Sequence, residues 1–207
     1  MFTILLPMMC MTPAILGLNY GFGVTAEGFA KYQAPIGAAA VIGGLIVGFS
    51  VPRIRPRLLM VAGQLFLVLG AVLTALSHQS SGTLIVFALI EGLGLGMTYA
   101  AVPNLVISAV PAQLQATTSS MVSVFQSGLA AVLPVIVFTV LNSRIAMVVQ
   151  GNAFYTDEGL KIGFLIAGAA ALIGGLAALV LPRTIREVRD VESVQQDLTG
   201  QEAAVPA

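Results

Sequence analysis

Between Arg57 and Arg144 the sequence carries a single formal charge, the carboxylate of Glu91. A stretch this long with one charge cannot coat itself with polar surface in water. Lys and Arg number 9 and Asp and Glu number 9 in 207 residues, so only 9% of the chain is charged, against about 25% in ordinary soluble domains. Hydrophobic residues make up 57%. A soluble enzyme is excluded on that balance, and so is intrinsic disorder, which requires low hydrophobicity and high charge. Nucleic-acid binding is excluded as well, because the net charge is zero and the apolar part of the chain holds no basic patch. Eight of the 18 charges fall in residues 183–207. The pattern is that of a polytopic membrane protein with a short polar tail.

A bilayer core about 30 Å thick is crossed by roughly 20 apolar residues as a helix, and a helix is required because lipid satisfies no backbone polar group. Six such stretches are readable, at about 2–21, 35–52, 58–77, 84–104, 119–141 and 162–181. The expectation is an all-α membrane protein, with a six-span bundle over residues 1–182 and a cytoplasmic tail over 183–207. In the tail, Ile185, Val188, Val191, Val194 and Leu198 recur near helical spacing. They suit a short amphipathic helix on the membrane surface, followed by a disordered end. Pro7, Pro13, Pro103 and Pro134 lie within spans, where a bundle tolerates them as kinks.

Orientation follows from the excess of Lys and Arg on cytoplasmic loops. Arg53, Arg55 and Arg57 in the second connection, with Arg183, Arg186 and Arg189, fall on one side; Lys31, Arg144 and Lys161 fall on the other. Six against three puts both termini in the cytoplasm and the protein in the cell membrane. The chain starts at once on an apolar run, with no basic segment before it. That start is not a secretory signal and reads as the beginning of a helix continued from a longer architecture. The single Cys10 makes no intrachain disulfide and reads as a small residue facing core or lipid.

Glycines are expected to let helices approach closely, since lipid provides no hydrophobic drive for helix association. Gly17-x-x-x-Gly21, Gly44-x-x-x-Gly48 and Gly92-x-x-x-Gly96 each put two on one helical face.

Polar residues within spans are the candidate transport residues. Glu91 is costly at depth and should face the bundle interior or a water-filled cavity. It is either a contact for a cationic substrate or a proton acceptor, or else a carboxyl hydrogen-bonded to neighbouring helices. Thr98 lies seven residues on and shares its face. Ser119, Ser120, Ser123, Gln126 and Ser127 form a polar stripe opposite Met121, Phe125, Leu129 and Val132. The stripe is expected to meet partner helices or line a polar pathway. Asn19, Tyr20 and Asn104 near span ends complete the set. The only histidine, His78, has no second ligand near it, so no metal or other cofactor is expected. No nucleophile elbow, phosphate loop or cluster of acids marks a catalytic site, and the chain does not read as an enzyme.

Several of these segments together resemble a known family. Ile90-Glu-Gly-Leu-Gly-Leu-Gly-Met97, followed by Val102-Pro-Asn104 and Ala109-Val-Pro111, is similar to the tenth helix and following loop of major facilitator superfamily (MFS) transporters. The resemblance is nearest to multidrug-efflux antiporters of actinobacterial type. Pro52-Arg-Ile-Arg-Pro-Arg57 resembles their basic loop between the eighth and ninth helices, and Gln126-Ser-Gly128 the start of their eleventh. The resemblance covers about residues 2–190. It implies one half, helices seven to twelve, of a two-half carrier that rocks about a central site. It further implies efflux of drug-like or amphipathic small molecules, with protons as the exchanged ion. The expected partners are the lipid bilayer, the small-molecule substrate, and a first six-helix half or a second copy of the chain. The alternative is a truncated, transport-inactive membrane protein serving as a scaffold or partner subunit.

Overall fold

A computed structural model describes residues 2–13, 20–77, 80–149 and 151–180. Within them lie α1 (Phe2–Met11), α2 (Ala26–Ser50), α3 (Pro56–Leu76), α4 (Ser81–Ala109), α5 (Ala112–Asn142), β1 (Ile145–Val149), β2 (Asn152–Tyr155) and α6 (Asp157–Val180). The chain is an all-α membrane protein, and α2 to α6 are five helices long and apolar enough to cross a bilayer. The expected tail helix, His78 and Asn19 lie outside the described residues.

The first span departs from expectation. Apolar residues run from 2 to 21, but the helix ends at Met11. At 1.5 Å per residue, ten residues reach about 15 Å, half a bilayer core. Pro13 cannot donate a backbone hydrogen bond and disfavours helix at Thr12. Beyond it the backbone comes back alongside the helix end. Phe22 and Val24 donate to the Cys10 carbonyl at 3.3 Å each, and Gly23 donates to the Thr12 carbonyl at 3.0 Å. The return relies on Gly21 (φ +104°) and Gly23 (φ +58°), in the left-handed region that a side chain disfavours. A Cβ at Gly21 would also stand 2.5 Å from the Thr12 carbonyl oxygen. Pro7 by contrast sits inside the helix as expected.

The other helices extend past the apolar windows because local chemistry starts and stops them. The Thr25 hydroxyl caps α2 by accepting from Gly28 N at 3.2 Å. Pro56 takes the first turn of α3, where a missing N–H is harmless. Val110, ahead of Pro111, is extended (φ −134°, ψ 138°) and divides α4 from α5. Asp157 and Glu158 occupy the first turn of α6, favourably placed for the helix dipole.

The connection between the fifth and sixth expected spans contains a β-hairpin. Ile145 pairs with Tyr155, Met147 with Phe154, Val148 with Ala153 and Val149 with Asn152, with a bulge between Ile145 and Met147. Gly151 (φ +80°) makes the turn. The hairpin is tied down at its open end, through Tyr155. The Tyr20 hydroxyl donates to the Tyr155 carbonyl, and the Tyr155 hydroxyl donates to Asn142 Oδ1 at 3.1 Å.

Packing is concentrated in four helices. α4 lies between α2, which runs parallel to it, and α3, which runs antiparallel, and α6 covers the far side of α3. A cluster including Leu5, Met9, Cys10, Tyr32, Leu141, Leu160 and Phe164 joins α1 to this group, so Cys10 faces the core. Val47, Leu59 and Met97 form a second, smaller cluster. α5 makes only light contact with α4 and α6.

Candidate functional site

Three glycines on α4 hold it at backbone distance from both neighbours. A Cβ at Gly92 would meet the Ile36 carbonyl oxygen of α2 at 2.4 Å, and one at Gly96 the Ala40 carbonyl oxygen at 1.9 Å. Gly94 faces the opposite way, where a Cβ would stand 2.7 Å from the Gly63 carbonyl oxygen of α3. The Gly92–Gly96 pair is therefore a packing face, as its spacing predicts. Gly44 and Gly48 are not: nothing lies within 4 Å of a Cβ built on either. The buried side of α2 runs instead through Tyr32, Ile36, Ala39, Gly43 and Val47. Of the third expected pair, Gly21 belongs to the turn described above and Gly17 lies outside the described residues.

Glu91 and Thr98 do share a face, and it is the face against α3. A Cβ at Gly70 would stand 3.1 Å from Glu91 Cβ, and one at Gly63 would stand 2.8 Å from Thr98 Oγ1. Glu91 is 6% exposed. Its Oε2 and the Oγ1 of Thr98 are enclosed without a hydrogen-bond partner. The Oε1 of Gln64 on α3 is a third such atom, with its side chain against Gly174 and Gly175 of α6. Gln64 was not among the residues singled out from the sequence; its position within an apolar span was the available signal.

Glu91 opens onto a partly enclosed cavity of about 180 Å³. The walls are Ile36 of α2, Leu67 and Ala71 of α3, Leu95 of α4 and Ala167 and Ala171 of α6, with Thr3 of α1 at one edge. Five helices thus contribute, and α5 does not.

The α5 stripe lies elsewhere. Ser119, Ser120, Ser123, Gln126 and Ser127 are all exposed. The expected covering helices are not among the described residues, because α5 is buried only at Val137 and Leu141, near its C-terminal end. Ser120, Ser123 and Ser127 donate back to carbonyls four residues earlier at 2.9, 3.0 and 2.9 Å. Those bonds satisfy the hydroxyl protons within the helix but leave the oxygen and amide groups of the stripe facing outward. Asn104 is half-buried and donates to the Ala100 carbonyl at 2.8 Å within α4. Arg53 and Arg55 are exposed on the turn joining α2 to α3, and Arg57 is half-buried at the start of α3. The candidate residues therefore divide into a buried set on α4 and an outward set on α5, and they do not form one site within this bundle.

The family described as sugar (and other) transporter matches residues 34–196, from the third turn of α2 past the end of α6. No curated protein matches the chain.

Proposed function

Since the chain belongs to the sugar (and other) transporter family, within the major facilitator superfamily, and so to proteins that carry small molecules across membranes rather than transform them, we propose that it acts as the C-terminal six-helix half of such a carrier. In this reading α1 to α6 stand for helices seven to twelve, and a second six-helix bundle completes the pathway. That bundle is either a separate first half or another copy of this chain. The substrate moves between the bundles near the midplane of the bilayer, and it is a drug-like or amphipathic compound exported in exchange for protons.

One observation carries the proposal: the polar stripe on α5 is exposed on a helix long enough to cross the bilayer. A glutamine amide and several hydroxyls presented to hydrocarbon are costly. Against a second bundle they line a polar pathway instead. Asn104 and the Glu91–Thr98 side of α4 are assigned to the supporting wall of that pathway. The basic turn at Arg53, Arg55 and Arg57 supports a cytoplasmic α2–α3 connection, and in this reading both termini face that side of the cell membrane.

The test is reconstitution. The chain by itself, shown to be monomeric in liposomes, moves no fluorescent amphipathic dye, and dye movement begins when a complementary six-helix half or dimerisation supplies the second bundle. Transport by the monomer overturns the proposal.

A further inference from the structure

The cavity in front of Glu91 has a chemistry beyond that of a supporting wall. Glu91 is more than nine-tenths buried, its Oε2 is enclosed without a hydrogen-bond partner, and the residue lines the cavity. The remaining walls are apolar, apart from Thr3 at the edge. The space exists because Ala71, Ala167 and Ala171 stand where larger side chains would close it. At about 180 Å³ it is well above the roughly 10–15 Å³ that a single water needs. The close backbone seams at Gly92, Gly94 and Gly96 hold α2, α3 and α4 at fixed separations, so the site is built before any ligand arrives.

The chemistry of the walls selects the occupant. A hard divalent cation takes six to eight oxygen ligands, and among the described residues no group of three or more His, Cys, Asp or Glu could hold a metal ion. A polyol would strand its hydroxyls against leucine, isoleucine and alanine. A monovalent organic cation with a short apolar body satisfies both parts of the cavity. Its ammonium donates a charge-assisted hydrogen bond to the carboxylate, and its alkyl body lies against Ile36, Leu67 and Leu95. We propose that the Glu91 cavity is a binding site for small alkylammonium ions, held inside the single bundle of α1 to α4 and α6 rather than between two bundles. The site goes beyond the transport reading and does not depend on it, since no wall comes from α5.

Binding at equilibrium tests this without any transport step. The full chain is placed in phosphatidylcholine nanodiscs and titrated with n-butylammonium, with n-butanol as the neutral counterpart of the same shape. Saturable binding of the ammonium is expected, with no competition from the alcohol. Glu91→Gln removes the charge and weakens binding at least ten-fold. Ala171→Leu keeps the carboxylate but fills the cavity, and weakens it to a similar degree. A melting curve for each variant establishes that the bundle is still folded. Absence of saturable binding at millimolar n-butylammonium overturns the site, as does equal binding to folded Glu91→Gln, equal binding to folded Ala171→Leu, or equal binding of n-butanol. Failure of the liposome assay leaves all of these results unaffected.

Discussion

Glu91 on α4 rests against Gly70 on α3, where an added Cβ would come within 3.1 Å of Glu91 Cβ. Seven residues away on each helix, Thr98 rests against Gly63 in the same manner. Two glycines at matching intervals on an antiparallel neighbour thus make room for Glu91 and Thr98. The polar residues and the glycines that admit them form one design across two helices. Gly70→Ala requires Glu91 to shift by a few tenths of an ångström and is expected to cost under about 1 kcal/mol. Gly70→Val displaces it and costs about 1–3 kcal/mol, as overpacking does. Denaturation in detergent micelles, comparing the two variants, measures the step.

The α2–α4 seam gives a sharper contrast. Gly96→Ala puts a methyl group into the Ala40 carbonyl and is expected to lower stability by about 1–3 kcal/mol. Gly44→Ala meets open space and leaves stability unchanged or raises it, because alanine is the better helix former. Equal losses for the two variants would contradict the assigned packing face.

The contrast also shows what the sequence reveals and what it hides. Gly92 and Gly96 are readable as a contact pair, and they are one. Gly43, Gly44 and Gly48 are equally small, and α2 is apolar on every side, so no amphipathic pattern marks which glycine turns inward. Only the neighbours decide, and they choose Gly43. The first span fails for a different reason. Hydropathy sums over Pro13 and Gly21 as though they were helical, whereas Pro13 stops the helix and Gly21, with Gly23 just beyond the window, permits the chain to return. The hairpin had a local signal in the short segments with β-branched and aromatic residues on either side of Gln150-Gly151, which a hydropathy count for spans does not convey. The interior placement of Glu91 was legible because a carboxylate has nowhere else to go in lipid. The cavity before it was not, since it arises from three alanines on two other helices.

The exposed α5 stripe makes a prediction about accessibility. Cys10 is fully buried, so a cysteine introduced at residue 123 supplies the reactive thiol. Ser123→Cys in the isolated chain is expected to react readily with a small polar maleimide. Pairing with a complementary bundle should slow labelling by ten-fold or more. An unchanged rate in a transport-active assembly would remove this face of α5 from the contact between bundles.

Tyr20 ties the turn after α1 to the hairpin through the Tyr155 carbonyl. Tyr20→Phe deletes the donor to that buried bond, at a cost of about 1–3 kcal/mol. Hydrogen exchange is expected to quicken across residues 145–155 and to stay unchanged in α3 and α4. Uniform acceleration throughout the bundle would show that the clip supports more than the hairpin.

Arg144 and Glu158 form an ion pair at 2.9 Å, with side chains 41% and 77% exposed. Solvent screens a pair this open, so Arg144→Ala should change stability by less than about 1 kcal/mol. A larger loss in the melting curve, persisting at high salt, would assign Arg144 a structural role beyond the pair.

The position of α4 between α2 and α3 also bears on how the protein is made. Helices enter the membrane in the order of synthesis, so both neighbours of α4 are in place when Glu91 leaves the ribosome. Inserting a carboxylate into bare lipid is unfavourable by several kcal/mol. Here Gly70 of α3 already presents the notch that receives it, and the backbone of α2 already presents the surface that fits Gly92 and Gly96. The helix that carries the buried carboxylate therefore enters last among the three and completes a groove formed by the first two, which makes the sequence order of the helices a working part of their assembly.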